Sequence, residues 1–400
     1  SYIGYIPQEI ALGSSSEYKV VLKEDTQALD EVVIIGYGAV KKSDLTGSVG
    51  SIAVDKIQGV SIKSVDQMLQ GRTSGLHMVQ NSGMPGAGAS VRIRGGNSIS
   101  GGNEPLYIID GVPVYPSGGK SQTDLNPLNT IPTSDIESIE VLKDASSTAI
   151  YGSRGANGVI IVTTRRGQSG KTNISFESYW GIENIAKDFD LLDAATFEKL
   201  SNESLVNSGG SPVYNESSPS QTTDWQKLTE NNNALLQNYQ LTVSGGSDKT
   251  TFLTSFNIYD QKGTIKATDM KKFAFRANLD HKISSTMRMG VNLTLTKVDN
   301  NLAGNAVLTS RLTTPPNLPV KQSDGSYTFS DEAGVITFDN PVAVINDRVN
   351  ETSRFRTLNN AFIEWDIIKG LTLKSSIGID LSYTRNNIYS PRTVYSGNQK

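Results

Sequence analysis

Beyond residue 170 the chain alternates apolar and polar residues with the period of two that is typical of half-buried β-strands. The run 371–383 shows the pattern clearly. Its apolar face is Leu371, Leu373, Ile377, Ile379 and Leu381, and its polar face is Thr372, Lys374, Ser376, Asp380 and Ser382. Six other runs behave similarly, 173–182 more weakly than 235–244, 250–260, 272–280, 287–296 and 358–367. We therefore expect about seven strands of roughly ten residues, the length of a tilted strand that crosses a bilayer.

The links between these runs alternate in length. Short turns are expected at 245–249, 283–286 and 369–370, and longer links at 183–234, 261–270 and 299–357. A soluble β-sandwich shows the same alternation of faces, so the faces alone leave both architectures open. Because an outer-membrane barrel has short turns at one end and long loops at the other, the link lengths favour a barrel. Seven strands do not close a pore-sized barrel, so we expect an incomplete one.

Residues 39–167 mix helix and strand signals. A helix is predicted at 64–70, where Ser64 and Gln67 have capping-box spacing, and a second capping box is predicted at Ser134 and Glu137. The segments "ASVRIRGG" and "PLYIIDGVPV" are predicted strands, and the second contains an Asp-Gly turn. His77, in the apolar run "LHMV", is interpreted as a packed core residue.

The glycine-rich end of this region, "IEVLKDASSTAIYGSRGANGVIIVTTRRG", is interpreted as structural. Asp144 is positioned to cap a short helix between two strands. Gly152 is expected to end that helix in the left-handed conformation. A strand follows the glycines, so they lack the free helix N-terminus that a phosphate site uses.

The first 38 residues contain one short apolar run within a polar segment, "LDEVVIIGYG" at 29–38. It is interpreted either as a short edge strand or as a peptide that adds a strand to a partner's sheet. Residues 1–25 suggest two short strands at the end of a preceding β domain. Since the chain starts within an apparent strand and without Met, we expect it to be part of a longer protein.

Composition excludes several classes of function. The net charge of -3 gives no indication of a nucleic-acid surface, and the chain has no Cys and two His. Two stretches, "SGGKS" and "GQSGKT", lack the first P-loop glycine, because Val114 and Arg165 occupy its position. The 37 Gly of the chain are abundant enough to suit a protein rich in strands and turns. We identify no catalytic constellation, no metal set and no cofactor, so we expect that the protein is not an enzyme.

Four charged residues of the mixed region are candidates for ion pairs. Arg92 and Arg94 are two apart on one predicted strand, Asp110 ends a neighbouring strand, and Arg154 lies in the glycine-rich segment. They are interpreted either as ordinary surface charge or as pairs that hold this region inside another structure.

A long, ordered set of segments resembles the SusC/RagA-type TonB-linked outer-membrane transporters. The set is "LDEVVIIGYG", "KKSDLTGSVGSI", "QGRTSGLHMVQNSGMPGAGASVRIRGGNSI", "PLYIIDGVPV" and "IESIEVLKDASSTAIYGSRGANGVIIVTTRRG". The resemblance continues from "QNYQLTVSGGSDK" into the alternating strands and covers essentially the whole chain.

The resemblance implies a fold class: an α+β plug domain followed by the first strands of a large antiparallel transmembrane β-barrel, truncated and not closed. It implies four parts. Residues 1–28 would end a carboxypeptidase-regulatory-like β domain, 29–38 would be the Ton box linker, 39–168 the plug and 169–400 the N-terminal part of the barrel. The TonB-binding residues would be Asp30, Glu31, Val32, Val33, Ile34, Ile35, Gly36 and Tyr37. The two isoleucines replace the usual valines and keep the β-branched character.

The resemblance also implies a function and partners. TonB would supply energy, a SusD-like surface lipoprotein would close the outer mouth, and the cargo would be an oligosaccharide or a peptide. The surroundings would be the lipid of a Gram-negative, Bacteroidota-like outer membrane. Two alternatives stay open: a secreted or surface β-rich binding protein, and a TonB-linked receptor with a signalling role.

Overall fold

The structure is a computed structural model that describes residues 32–35, 38–41, 49–53, 65–80, 82–99, 102–114, 127–302, 305–330 and 337–398. At the start of the chain, strands β1 (Val32–Ile35) and β2 (Gly38–Lys41) form a two-stranded antiparallel sheet. Val32 lies opposite Lys41 and Ile35 opposite Gly38.

A five-stranded mixed sheet follows. Its strands and those of a separate small sheet are β3 (Val49–Ala53), β4 (Leu76–Gln80), β5 (Ala89–Ile93), β6 (Leu106–Ile109), β7 (Val112–Val114), β8 (Ile136–Leu142) and β9 (Val159–Thr164). The order in the larger sheet is β3-β8-β9-β6-β7, while β4 and β5 pair with each other. Strands β6 and β9 are parallel and buried on both faces, which explains their continuous apolar runs.

Short helices connect these strands. They are α1 (Val65–Leu69), α2 (Ala145–Thr148) and the 3-10 segments Pro127–Thr130, Thr133–Asp135 and Ala149–Gly155. As predicted, Asp144 caps α2 by accepting from the Ser147 N–H. Gly152 does not end α2 in the left-handed conformation: its φ of 60° is combined with a ψ of -146°, and it kinks the 3-10 segment Ala149–Gly155 instead. We call the described residues from 49 to 166 the plug unit.

The plug unit has apolar cores on both faces of its sheet. One core joins α1 and β5 to the sheet through Val65, Leu69, Ile93, Ile139 and Ile160, which are almost completely buried. The other core, on the opposite face, includes Leu106, Leu142, Tyr151 and Ile161.

A seven-stranded antiparallel sheet, which we call the wall, follows the plug unit. Its strands are β10 (Gly170–Glu183), β11 (Ala234–Gly246), β12 (Thr250–Lys262), β13 (Asp269–Lys282), β14 (Met287–Asn301), β15 (Val349–Ile368) and β16 (Leu371–Tyr389). Each strand pairs with its neighbour in sequence. Strands β10 and β16 are the two edges, so the described sheet is the open part of a barrel, as predicted.

The two faces of the wall differ in chemistry. One face carries exposed large apolar side chains, among them Phe256, Trp365 and Ile377, which is 63% exposed. The opposite face carries polar residues that are buried beneath the plug unit, among them Gln240, Ser255 and Arg276. The predicted period of two therefore separates an apolar outer surface from a polar inner one.

The links alternate in length along the wall, as predicted. Residues 184–233 contain α3 (Ala194–Asn207) and α4 (Trp225–Thr229), and residues 302–348 contain α5 (Asn305–Thr313) and α6 (Pro341–Asp347). A last helix, α7 (Tyr395–Asn398), follows β16. Asp193 caps α3 by accepting from the Thr196 N–H at 2.8 Å. Among the described residues, no helix has the length and apolar character needed to cross a membrane.

Three other predictions for the plug unit were wrong. Glu137 lies in strand β8, so Ser134 and Glu137 do not form a capping box. His77 is exposed, because in β4 the alternating side chains of Leu76 and Met78 are the half-buried ones. Arg94 follows the end of β5 and has a φ of 57°, so it does not share a strand face with Arg92.

Candidate functional site

The candidate site is the contact between the plug unit and the inner face of the wall. Its centre is Arg276 on β13, whose side chain is 1% exposed. Arg276 donates from Nη1 to the Asp135 carbonyl at 3.1 Å and from Nη2 to the Arg165 carbonyl at 3.2 Å. Nη2 also donates to the Thr164 hydroxyl and lies 3.5 Å from Asp110 Oδ2. One wall residue thereby holds three plug segments that are remote in sequence.

Asp110 reaches Arg276 because of the turn that joins β6 to β7. Asp110 and Gly111 have φ values of 48° and 85°, the pair of positive angles that tight hairpin turns require. The Asp110 carboxylate accepts from the Thr164 N–H at 3.0 Å and from its hydroxyl at 2.5 Å. The Asp110 carbonyl accepts from Asn360 Nδ2 on β15 at 2.7 Å. The turn is therefore bonded to β9 and to two wall strands.

Asp135 is a second buried carboxylate at this contact. Its Oδ1 accepts from Gln240 Nε2 at 2.9 Å and its Oδ2 from the Ser255 hydroxyl at 2.8 Å. Burial raises the pKa of Asp135, and the nearby charge of Arg276 and these two hydrogen bonds oppose the rise. The pairing with wall donors thus partly compensates the cost of burying a carboxylate.

The segment that leaves the plug unit is also bound to the wall. The Arg165 N–H donates to the Asp135 carbonyl at 2.8 Å, and the Arg165 carbonyl accepts from Asn278 Nδ2 at 2.9 Å. Arg166 forms an ion pair with Asp280 at 3.0 Å. Gly167 packs so closely on the Phe252 backbone that a Cβ there would lie 2.3 Å from the Phe252 carbonyl oxygen. A glycine is required where the chain passes from the plug unit to β10.

Further from Arg276 the contact continues with neutral groups. The Thr296 hydroxyl donates to the Thr130 carbonyl at 2.9 Å. Leu358 of β15 is the wall side chain that packs against the larger plug core. Among the described residues, the contact therefore consists mainly of hydrogen bonds and ion pairs, with apolar packing at Leu358 and between Val112 and Gly378.

The structure places the four predicted ion-pair residues differently from one another. Asp110 lies within ion-pair distance of Arg276, whereas Arg92, Arg94 and Arg154 are exposed. The charge of Arg92 acts within the plug unit, where it opposes the burial-raised pKa of Glu104. A plug–barrel role for these three arginines stays a prediction.

The predicted TonB-binding segment is described in part. Val32, Val33, Ile34 and Ile35 form β1. Asp30, Glu31, Gly36 and Tyr37 lie outside the described residues, as does the predicted β domain at 1–28.

Two cavities lie near the long links. A cavity of about 400 Å³ is lined by residues of both long links, including Phe189, Trp225 and Pro315. A smaller one of about 170 Å³ lies between the plug loop at Ser82–Pro85 and residues that include Ile265 and Arg311. Within the described part of the chain, no group of three or more His, Cys, Asp or Glu side chains is arranged to hold a metal ion.

Arg276 was missed at the sequence level. It stands at an ordinary polar position of an alternating strand, and its partners are more than 100 residues away in sequence. The sequence gives one indication of the role of Arg276: it is a long cationic side chain among the small polar residues of the inner face.

Comparison with known proteins agrees with this architecture. The family described as "TonB-dependent Receptor Plug Domain" matches residues 41–159. "TonB-dependent receptor P26" of Formosa agariphila is 37% identical over 99% of this chain and 40% of its own length. "TonB-dependent receptor SusC" of Bacteroides thetaiotaomicron is 33% identical over 82% of this chain and 32% of its own length.

Solved structures share the fold. The RagAB peptide importer in its 'open-open' state has a TM-score of 0.73 and 24% identity, covering 89% of this chain and 43% of that chain. The ferric citrate transporter FecA has a TM-score of 0.55 at 12% identity, covering 87% of this chain and 42% of that one. The chain thus spans about two fifths of the length of several of these proteins.

Proposed function

Because the chain belongs to the SusC/RagA-type TonB-dependent receptors, we propose that the whole protein imports large nutrients across a bacterial outer membrane. The plug unit would block the lumen of the barrel at rest and open it when TonB pulls. One observation carries the proposal: the plug unit is held by buried polar contacts on the inner face of a sheet whose outer face is apolar. A soluble β-sandwich does not normally expose an apolar face of this extent to water.

We propose the domain boundaries implied by the family resemblance. Residues 29–38 would be the Ton box linker, 39–168 the plug and 169–400 the N-terminal part of the barrel. Energy would arrive mechanically, through a TonB strand that pairs with the backbone of residues 30–37. Strand β1 supports this assignment, because residues 32–35 adopt the extended conformation that such pairing needs.

The relatives support a partner and a class of cargo. RagAB is a peptide importer, and SusC is among the relatives of this chain. We propose a SusD-like lipoprotein as the outer partner, with an oligosaccharide or a peptide as cargo. The wall's polar inner face suits either class, because both are hydrated and rich in hydrogen-bonding groups.

Deletion of residues 30–37 in the full-length protein tests the energy input. We expect uptake of the cargo to be lost while binding of cargo at the cell surface persists, because the deletion removes the TonB contact and leaves the barrel intact. Deletion of eight residues within 1–28 is the control for shortening the chain. Normal uptake after the first deletion would contradict the Ton box assignment.

Substitution on β16 tests the membrane location. Lys at Ile377, on the apolar outer face, should cost about 2–4 kcal/mol if that position lies at mid-bilayer depth. Lys at the adjacent Ser376, on the opposite face, is the matched control and should be tolerated. The measurement is the yield of heat-resistant, folded protein in the outer-membrane fraction. Equal tolerance of both variants would contradict a lipid-facing outer surface.

A further inference from the structure

We propose that the smaller of the two cavities is a specificity site that takes one uncharged aliphatic side chain of the cargo. We call it the aliphatic subsite. Aliphatic side chains are carried by peptides and not by oligosaccharides, so the subsite favours the peptide class among the two proposed cargoes. The inference rests on the proposed function, because it concerns which molecules the transporter selects.

The aliphatic subsite lies at the end of the wall that is remote from the start of β10. Strand β10 begins at Gly170, beside a short turn, and ends at Glu183, where the first long link begins. The cavity lies beyond this second end, between the plug loop 82–85 and the links that follow β10, β12 and β14. Under the proposed function the short turns face the periplasm, so cargo that enters from outside reaches this cavity before it reaches Arg276.

The walls of the aliphatic subsite are apolar. Six side chains from the plug loop and the three links line it, namely Met84, Pro85, Ile185, Ile265, Val307 and Leu308. None of the described residues that line it is aromatic, and one of them, Arg311, is charged. A sugar between these walls would lose water from its hydroxyl groups with few partners to replace it. An aliphatic side chain is stabilised there, because burial removes its apolar surface from water.

The hydroxyl groups at the cavity are largely engaged with the protein itself. The Thr268 hydroxyl donates to the Ile265 carbonyl at 2.5 Å. The Ser82 hydroxyl accepts from the Met84 N–H at 3.1 Å, which shapes the plug loop. These bonds reduce the number of polar groups that a ligand can use, so shape and apolar contact decide what fits.

The size of the aliphatic subsite limits the ligand to one side chain. Its volume is about 170 Å³, whereas pockets that enclose a whole drug-sized ligand have volumes of about 300–1,000 Å³. The rest of a peptide would therefore lie outside the cavity, against the polar inner face of the wall.

Arg311 gives the aliphatic subsite one polar contact for the backbone of the cargo. Its side chain is 7% exposed, with Nη2 2.5 Å from Glu230 Oε1 and 3.9 Å from Asp188 Oδ1. Arg311 Nε is buried and has no hydrogen-bond partner among the described residues. Two carboxylates beside one guanidinium disfavour an anionic ligand. A peptide carbonyl is an uncharged acceptor, so it can accept from Nε while its side chain enters the apolar walls.

Binding of capped amino acids to the purified full-length protein tests the selectivity. The probes are N-acetyl-leucine amide, N-acetyl-glycine amide and N-acetyl-aspartic acid amide, each titrated by saturation-transfer NMR. We expect the leucine probe to bind about tenfold or more tightly than the glycine probe, because the glycine probe leaves the apolar walls unfilled. The aspartate probe should bind no better than the glycine probe. Equal binding of the leucine and glycine probes, or tightest binding of the aspartate probe, would overturn the proposal.

Gly83→Leu tests where the leucine probe binds. A Cβ at Gly83 would meet no heavy atom within 4 Å, so the new side chain can occupy the cavity without displacing the backbone. We expect the affinity for the leucine probe to fall about tenfold or more. Gly102→Leu is the matched control and should bind normally, since Gly102 is equally open, lies on another plug loop and does not line the cavity. An unchanged affinity in Gly83→Leu would place the probe elsewhere and overturn the proposal.

If Gly83→Leu fails to assemble, Leu308→Lys takes its place. Leu308 lines the cavity and is 40% exposed, so a lysine there should be tolerated by the fold. It should weaken binding of the leucine probe, because it brings a charge to the apolar walls. Leu200→Lys, at a position on α3 that is 47% exposed and does not line the cavity, is its control. Equal affinities in these two variants would contradict the aliphatic subsite.

These measurements separate the aliphatic subsite from the proposed function. Binding is measured without TonB and without a source of energy, so a lack of leucine selectivity contradicts the subsite alone. Uptake that continues after deletion of residues 30–37 contradicts the proposed energy input and leaves the binding result unchanged.

Discussion

The interior of the plug unit and its contact with the wall use opposite chemistry. Inside, residues such as Ile139, Ile160 and Val162 are buried against other apolar side chains. At the wall, Arg276, Asp110 and Asp135 are buried against charges, amides and hydroxyls. Apolar burial stabilises in proportion to area and tolerates small movements, whereas a buried polar contact stabilises only while its geometry is kept.

The difference suits a plug unit that must stay folded at rest and still separate from the wall. Water that enters an apolar interior finds no partners there, but water that enters the wall contact can replace each lost hydrogen bond. Among the described residues, the buried atoms Arg276 Nε, Gln240 Oε1 and Asn278 Oδ1 have no hydrogen-bond partner. The protein itself therefore leaves part of the hydrogen-bonding capacity at this contact unused.

Arg276→Met should have the largest effect, because it removes the cation and leaves the Asp110 carboxylate buried without its partner. Loss of one member of a buried pair costs about 3–5 kcal/mol, and we expect about 4 kcal/mol here. The measurement is the urea dependence of pulse proteolysis of the plug in the detergent-solubilised full-length protein.

The double variant Arg276→Met/Asp110→Asn is the control for that experiment. Removing both charges should recover part of the loss, since no unpaired charge remains buried. If the double variant is less stable than Arg276→Met by the full effect of Asp110→Asn alone, the two residues do not act as a pair. The comparison between interior and contact would then lose its electrostatic basis.

Ile160→Ala tests the interior half of the comparison. Ile160 is fully buried in the larger core, and truncation of such a residue costs about 2–5 kcal/mol; we expect about 3 kcal/mol in the same proteolysis experiment. Ile160→Val keeps most of the volume and should cost about 0.5–1.5 kcal/mol. A loss for Ile160→Ala no larger than that of its valine control would contradict a tightly packed interior.

The sequence predicts the interior and the wall better than the contact between them. The alternation in 371–383 and the lengths of the links are local features, so they identify strands, faces and the ends of the sheet. The cap at Asp144 is equally local, since its carboxylate bonds the Ser147 N–H three residues later. The same rule failed at Ser134 because the apolar residues Ile136 and Ile139 belong to a strand.

The contact depends on pairs that no local rule connects. Arg276 meets Asp110 across 166 residues of sequence. Asp110 was identified as an ion-pair candidate, but no local pattern connects it to Arg276, which occupies an ordinary polar position of an alternating strand. Arg92 on β5 and Arg94 just after that strand were the more conspicuous charges, and both are exposed. Which polar residues pair over such a distance in sequence depends on how the plug unit packs against the wall. Only the three-dimensional structure gives that packing.

Thr296→Val should have the smallest effect and tests whether the neutral part of the contact behaves as polar docking requires. The change keeps the shape of the side chain and leaves the Thr130 carbonyl without this donor. Loss of one hydrogen bond costs about 0.5–1.5 kcal/mol, and we expect about 1 kcal/mol here. Thr294→Val, two residues earlier on the same face and half-buried, is the matched control and should change little. A loss of stability for Thr296→Val equal to that for Ile160→Ala would show that the polar contact is as sensitive to a single substitution as the apolar interior. There would then be no reason to expect the plug unit to separate from the wall more readily than its own core comes apart.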